Sequence, residues 1–372
     1  MSEELPEPDR IDGAPHPRET QRLFGQDAAV ARFLEAYNSG RLHSGWLLTG
    51  PRGIGKATLA WKIATFLLSE DADGGLFGGP AEATSLDVSA DHPDARLVQS
   101  GAHPRLYVVR RPVDEKTQKL KSEITVDAVR GLKGFFQMSA ADGGRRVVIV
   151  DSADELNRNA ANAILKELEE PPANTTLLLL SHQPSRLLPT IRSRCTELRC
   201  APLNSTNLTA ALEQANMRIE APDALTALCS GSAGDAIRLL NHDGLPLYAE
   251  LVSLFDGLPN INRHNAFKLA DSCTGRGSET RFTMTLDLMD VFISRAARAG
   301  LVGEPDQQGA PGEARLLARL SPHDVAARHW AELQQQLVNR SRHGKAVNLD
   351  PASLILDMIF KIEETAQKTT AP

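Results

Sequence analysis

Three glycines and a lysine stand at fixed spacing in the run Gly50-Pro51-Arg52-Gly53-Ile54-Gly55-Lys56-Ala57-Thr58. Glycines at such positions let backbone N–H groups converge on phosphate oxygens, and the lysine reaches the β- and γ-phosphates. A helix opening at Lys56 adds partial positive charge at its N-terminus. The residue directly after the lysine normally supplies the hydroxyl that holds Mg²⁺. Here it is Ala57, and Thr58, one position later, points about 100° away on a helix. The same run also reads as a glycine-rich strand-to-helix turn without a ligand. Gly50, Gly53, Gly55, Lys56, Ala57 and Thr58 are therefore the candidates for a degenerate nucleotide site.

A second run, Arg145-Arg146-Val147-Val148-Ile149-Val150-Asp151-Ser152-Ala153-Asp154, is a buried-strand pattern that ends in a carboxylate. Asp151 suits a Walker B role, orienting a magnesium shell. In many ATPases of this type a Glu follows and positions or activates water, but here Ser152 follows. A serine hydroxyl is no base near neutral pH without its own activator. Asp154 and Glu155 are nearby but out of register. Positions 57 and 152 both lack the chemistry that hydrolysis needs, so a site that does not turn over is expected.

The third run is Asn162-Ala163-Ile164-Leu165-Lys166-Glu167-Leu168-Glu169-Glu170-Pro171-Pro172, followed by an apolar strand and later by Leu188-Pro189-Thr190-Ile191-Arg192-Ser193-Arg194-Cys195. Pro171-Pro172 ends a helix by clash and by loss of donors. Glu169 and Glu170 alone read as a solvated helix end. Arg194 reads as a salt bridge within its domain, or as a group that stabilises charge on a transferring phosphoryl group of a neighbouring subunit.

These residues need a scaffold. Trp46–Leu48, Leu106–Val109, Val147–Val150 and Leu177–Leu180 read as buried strands, and helical periodicity runs over Ala29–Tyr37, Lys56–Leu68, Val126–Gln137 and Ala160–Glu170. Continuous apolar strands separated by helices predict an α/β parallel-sheet domain with helices on both faces. From about Pro202 to Asn241 strands give way to short helices. From Leu245 onward the pattern is helical, with amphipathic stretches at Ala266–Ala270, Phe282–Ala296 and Ala352–Ile362 and a surface loop at Gly303–Gly312. The expected divisions are a tail at 1–22, an α/β domain at 23–201, a helical lid at 202–244 and a helical domain at 245–372.

Composition narrows the class. The chain has 372 residues, 41% hydrophobic and 24% charged, which excludes a wholly disordered chain and a small disulfide scaffold. Lys+Arg of 41 against Asp+Glu of 47 gives −6, a poor balance for gripping DNA along the whole surface. The 4 cysteines, Cys195, Cys200, Cys229 and Cys273, form no close CxxC pairs and read as free thiols of a reducing cytosol rather than a zinc site. His92 and His103, in the weakly patterned stretch between Ser69 and Arg105, read as surface-loop residues rather than metal ligands. No apolar run approaches a membrane span, and the acidic, proline-containing start has no signal-peptide core. A flexible tail and a cytoplasmic location are expected.

The run NAILKELEEPP, the following strand and the Ser193-Arg194-Cys195 triplet resemble the bacterial clamp-loader subunits of DNA polymerase III. Leu23-Phe24-Gly25-Gln26, the Leu42-His43-Ser44-Gly45-Trp46 approach and Gly231-Ser232-Ala233-Gly234-Asp235-Ala236 fit the same family. The likeness is dense from about residue 23 to 240. Gamma/tau subunits carry a Walker A hydroxyl, an Asp-Glu pair and a lid arginine, where this sequence has Ala57, Ser152 and Gly234. Delta subunits lack the triplet. The chain is therefore similar to the delta-prime kind.

The resemblance implies an AAA+ domain, a lid and a collar domain. It also implies a hetero-pentamer with gamma/tau and delta that loads a sliding clamp onto primer-template DNA. Arg194 becomes an arginine finger offered in trans, with Glu169, Glu170, Ser193 and Cys195 at the subunit interface. The chain would belong to a DNA-directed DNA polymerase (a nucleotidyltransferase) without being catalytic itself. ATP and Mg are cofactors only of a degenerate site. Many relatives hold zinc in the segment equivalent to Ser69–Arg105; this chain has no cysteine there, so no zinc is expected. An independent P-loop ATPase acting on DNA and a non-hydrolysing ATP-binding adaptor are the rival readings.

Overall fold

A computed structural model describes residues 6–69, 82–138, 144–347 and 349–370. The chain forms two compact units, Met1–Asn216 with Gly231–Gly234, and Met217–Ser230 with Asp235–Pro372.

In the first unit the elements alternate: α1 (Asp27–Asn38), β1 (Gly45–Thr49), α2 (Lys56–Leu68), α3 (Pro93–Gln99), β2 (Leu106–Arg110), α4 (Val126–Met138), β3 (Arg146–Asp151), α5 (Arg158–Glu169), β4 (Thr175–Ser181), α6 (Pro189–Arg192), β5 (Thr196–Arg199) and α7 (Ser205–Gln214). The five strands form one parallel sheet in the order β2-β3-β4-β1-β5. β1, β3 and β4 are buried along their whole length. Trp46, Leu48, Val147, Ile149, Leu178 and Leu180 point to one face and pack with α1 and α2. Leu47, Val148, Val150, Leu177 and Leu179 point to the other and pack with α4 and α5. Covering both faces removes any reason for polar alternation, so the strands read as unbroken apolar runs. This is the α/β fold expected. β5 had no such run: it lies at the sheet edge and buries only Leu198.

Local chemistry sets the helix ends. Asn157 caps α5 through Ala160 N, and the helix stops at Glu169, just before Glu170 and the two prolines. α2 has left-handed Gly55 at its N-cap and no side-chain cap.

Residues 6–22, expected to form a tail, pack against this unit. His16 has 0% exposure, with its ring edge-on to Trp61 of α2 at 5.7 Å. In the weakly patterned stretch, Gly74, Gly75, Gly78, Gly79 and Pro80 lie outside the described residues. His92 caps α3 through Asp94 N at 3.3 Å. His103 is not a surface residue: it is buried, with Nε2 3.0 Å from Asp94 Oδ1. Burial lowers its pKa from the usual value, against the opposing pull of Asp94.

The second unit is helical: α8 (Pro222–Cys229), α9 (Ala233–Asn241, which starts in the first unit), α10 (Gly244–Phe255), α11 (Arg263–Ser272), α12 (Glu279–Val302), α13 (Glu313–Leu320), α14 (Asp324–Ala346) and α15 (Pro351–Thr370). Its core holds Tyr248, Phe255, Phe292, Trp330 and Ile359. The 303–312 loop wraps a fully buried carboxylate. Glu313 accepts from Gly309 N at 2.5 Å and Tyr248 Oη at 2.5 Å and pairs with Arg295 Nε at 2.6 Å. Among the described residues no helix is long and apolar enough to cross a membrane.

Candidate functional site

β1 delivers the chain at Thr49 into a loop that only glycine can follow. Gly50, Gly53 and Gly55 have φ of 140°, 74° and 100°, conformations that side chains rarely adopt. Neighbours also come too close for a Cβ. At Gly50 it would lie 2.6 Å from Cys200 O, and at Gly53 2.3 Å from Ser232 Oγ and 3.0 Å from Gly234 Cα. Gly234 N donates to Gly53 O at 3.0 Å. The Gly231–Gly234 segment therefore lies directly on the phosphate loop.

Lys56 is 3% exposed. Its Nζ donates to Gly50 O at 2.7 Å and to Pro51 O. The ammonium is held by its own loop. Burial pushes it down to about 8. Asp151, at the carboxyl end of β3, is 9% exposed and is pushed up to about 7, by burial first and then by the charges of Asp9 and Glu155.

The other carboxylates near the loop are engaged. Asp154 accepts from Ser181 Oγ at 2.8 Å, from His182 N and from Gln183 N at 3.4 Å, tying the end of β4 in place. Glu155 pairs with Arg111 at 2.8 Å. Ser152 is buried and its Oγ has no partner. A cavity of about 830 Å³ opens at the carboxyl ends of β1, β3, β4 and β5, lined by Arg52, Ser152, Asp154, His182, Arg186 and Arg199 among others. His182 is pushed down to about 4, by burial and by the charge of Lys56.

This donor set does not fit a magnesium nucleotide. No hydroxyl stands at 57, Lys56 is bonded to its own loop, and Asp151 sits where burial disfavours its charge. Among the described residues no group of three or more His, Cys, Asp or Glu side chains could hold a metal ion.

The triplet lies at the opposite edge of the sheet. β5 runs parallel to β1 with Thr196 paired to Trp46, so residues 193–195 sit at the amino edge and the loop at the carboxyl edge. The intervening strand of five residues spans roughly 16 Å, further than an arginine side chain extends. Arg194 is 36% exposed; its Nη2 meets Glu169 Oε1 at 2.8 Å and its Nη1 donates to Thr190 O at 3.0 Å. Ser193 Oγ donates to Thr190 O at 3.1 Å. Burial pushes the Cys195 thiol up to about 12, and a Cβ on Gly45 would lie 3.3 Å from its Sγ. Glu169 thus joins the triplet through Arg194, while Glu170 is exposed beside it.

The structure places Asp151 near Lys56 of the loop, two residues that the sequence had paired as candidates. Sequence reasoning missed the self-bonded lysine, the structural use of Asp154 and the arginines around the cavity. The cues for the last two were faint: a Ser-His pair after β4, and arginines scattered over 150 residues.

A family model described as DNA polymerase III, delta subunit, matches residues 25–204. The DNA polymerase III subunit delta' of Pseudomonas aeruginosa is 42% identical over 224 residues, 59% of this chain and 60% of that protein. Subunit delta' of Escherichia coli is 28% identical over 337 residues, covering 90% of this chain and 93% of that one. Subunit tau of Salmonella typhimurium is 28% identical over 336 residues, 90% of this chain but 45% of tau. With a P-loop on a parallel sheet and a helical second unit, the chain is similar over residues 25–204 to DNA polymerase III delta-type subunits, and over 90% of its length to subunits delta' and tau.

Proposed function

We propose that this chain is the delta-prime member of a clamp-loading complex with gamma/tau and delta subunits. It works there as an ATP-silent partner that offers Arg194 to ATP bound on the adjacent gamma/tau subunit. The observation that carries this reading is the separation of the two edges. The chain's own loop lacks the groups for turnover, and Arg194 lies across the sheet from it, out of reach in cis. A guanidinium that is one-third exposed and held by one carboxylate and one carbonyl is free to exchange partners at small cost, since exposed pairs contribute only about 0–1 kcal/mol. Glu169, Glu170, Ser193 and Cys195 shape that edge: the carboxylate of Glu169 steers the arginine, and the half-buried Cys195 packs the turn on Gly45. In the assembled pentamer ATP binding by gamma/tau drives opening of the sliding clamp and its placement on primer-template DNA, and Arg194 stabilises transition-state charge in trans.

The test is reconstitution with gamma/tau and delta. Arg194→Ala should leave the complex intact by gel filtration and cut DNA-stimulated ATPase by at least about tenfold, at the low end of the range for such fingers. Unchanged ATPase and unchanged clamp loading would sink the role. ATP turnover by the isolated chain would favour an independent P-loop ATPase instead.

A further inference from the structure

The segment at the very start of the described chain runs alongside the phosphate loop. Arg110 is the last residue of β2 and is paired in register with Asp151. Its guanidinium holds Glu7 Oε1 at 2.9 Å and lies 3.5 Å from Asp9 Oδ1, which brings both carboxylates to the carboxyl end of β3. Glu7 Oε1 also accepts from Arg18 at 2.9 Å. Asp9 Oδ2 lies 3.2 Å from Nε2 of the buried His16, whose Nδ1 accepts from Arg18 N at 3.1 Å. The edge of that imidazole rests on Trp61 of α2, the helix that the loop opens. Between these anchors, Ile11 reaches the glycine that covers the loop: a Cβ on Gly234 would lie 3.1 Å from Ile11 Cδ1 and 2.9 Å from Gly53 Cα. Ile11 Cδ1 and Gly53 Cα thus both lie against the Cβ side of Gly234.

We propose that residues 7–16 are an intramolecular strap that holds the phosphate loop shut against nucleotide, with Ile11 packed where Gly234 meets Gly53 and Asp9 setting a carboxylate beside Asp151. Nothing in the substitutions at 57 and 152 requires such a closure, because those positions bear on magnesium and hydrolysis. The glycines and Lys56 that bind phosphate are all present. The strap acts on that remaining capacity in two ways. Ile11 and the 232–234 segment fill the outer side of the loop that a ligand would have to part. Asp9 meanwhile places negative charge where a triphosphate would bring more. Burial acts to raise Asp9, but His16 and Arg110 hold it below its usual value, so it stays ionised in that position. Its charge is one of those that raise Asp151. With the loop closed, Lys56 finds its partners among the loop's own carbonyls.

The strap deepens the reading of this loop as ATP-silent. It is separable from the role of Arg194, which is read from ATPase of the complex rather than from nucleotide binding to this chain. The experiment uses the full chain and a fluorescent ATP analogue followed by anisotropy. Wild type should show no saturation up to about 1 mM, and an Asp9→Ala/Ile11→Ala variant should bind at least about tenfold tighter. Adding Lys56→Ala to that variant should abolish the gain, which assigns it to the loop. Asp9→Asn is the variant that keeps the strap's shape; it should gain part of the affinity if the double variant fails to fold. Wild type binding as tightly as the opened variants would overturn the proposal, as would folded variants that gain nothing or a gain that survives Lys56→Ala.

Discussion

Asp151 is a buried carboxylate at the end of β3, with Lys56 and Arg52 offsetting part of its charge. Removing its charge should therefore stabilise the protein. Its value rises from the ordinary 3.8 to about 7, a gap equivalent to roughly 4 kcal/mol of disfavoured ionisation. In the native state the group keeps its proton up to about pH 7, whereas the unfolded chain loses it near 3.8. Stability from this group is thus undiminished below about pH 4, falls as pH rises between the two values, and is fully lost above about pH 7. Asp151→Asn should gain little at pH 4 and about 2 kcal/mol at pH 8. That is half the ceiling, because Lys56 loses a compensating charge in the same substitution. For a unit of some 200 residues this raises Tm by roughly 4–8 °C. Thermal and urea unfolding at both pH values would measure it, with hydrogen exchange of β1 and β3 peptides assigning the transition to the first unit. Equal stability of variant and wild type at pH 8 would refute the reasoning, as would a gain at pH 4 as large as at pH 8.

Two further outcomes follow from buried charge. His182, pushed down to about 4, stays neutral in the native state after the unfolded chain has taken a proton near 6.5. The first unit should therefore lose stability as pH falls from about 6.5 to 4. His182→Asn should flatten that part of the Tm-against-pH curve, and an unchanged slope would contradict the assignment. In the second unit, Arg295→Ala strands the fully buried Glu313 without its cation. Removing one partner of such a pair costs about 3–5 kcal/mol, seen as early loss of helical circular dichroism on heating. Arg295→Met with Glu313→Leu should recover much of it, because the desolvated charge is then gone.

Much of the fold could be read locally. The apolar runs of β1–β4 were legible because a strand covered on both faces needs no polar positions, and Lys56–Leu68 matched α2 to the residue. β5 was not legible: its Thr-Glu-Leu-Arg sequence has one buried side chain, and only the neighbouring β1 makes it a strand. Residues 6–22 read as a tail because prolines and acids are common in disordered segments. Their order comes from Arg110, about a hundred residues away in the chain. His103 read as a surface-loop residue for a similar reason, since its burial depends on Asp94 and the α3 turn.

The site divides the same way. Chain chemistry alone determined that a glycine loop and lysine follow a strand, that no hydroxyl stands at 57 and no carboxylate at 152, and that prolines end α5 before the next strand. These are matters of residue type and short-range sterics. Only the tertiary structure decided where the charges go. Parallel pairing of β1 and β5 puts Arg194 and the loop at opposite edges of the sheet, folding brings Glu169 to Arg194 across 25 positions, and the Gly231–Gly234 segment settles on Gly53. Electrostatic partners and close backbone approaches are set by distance in space, which separation along the chain does not encode.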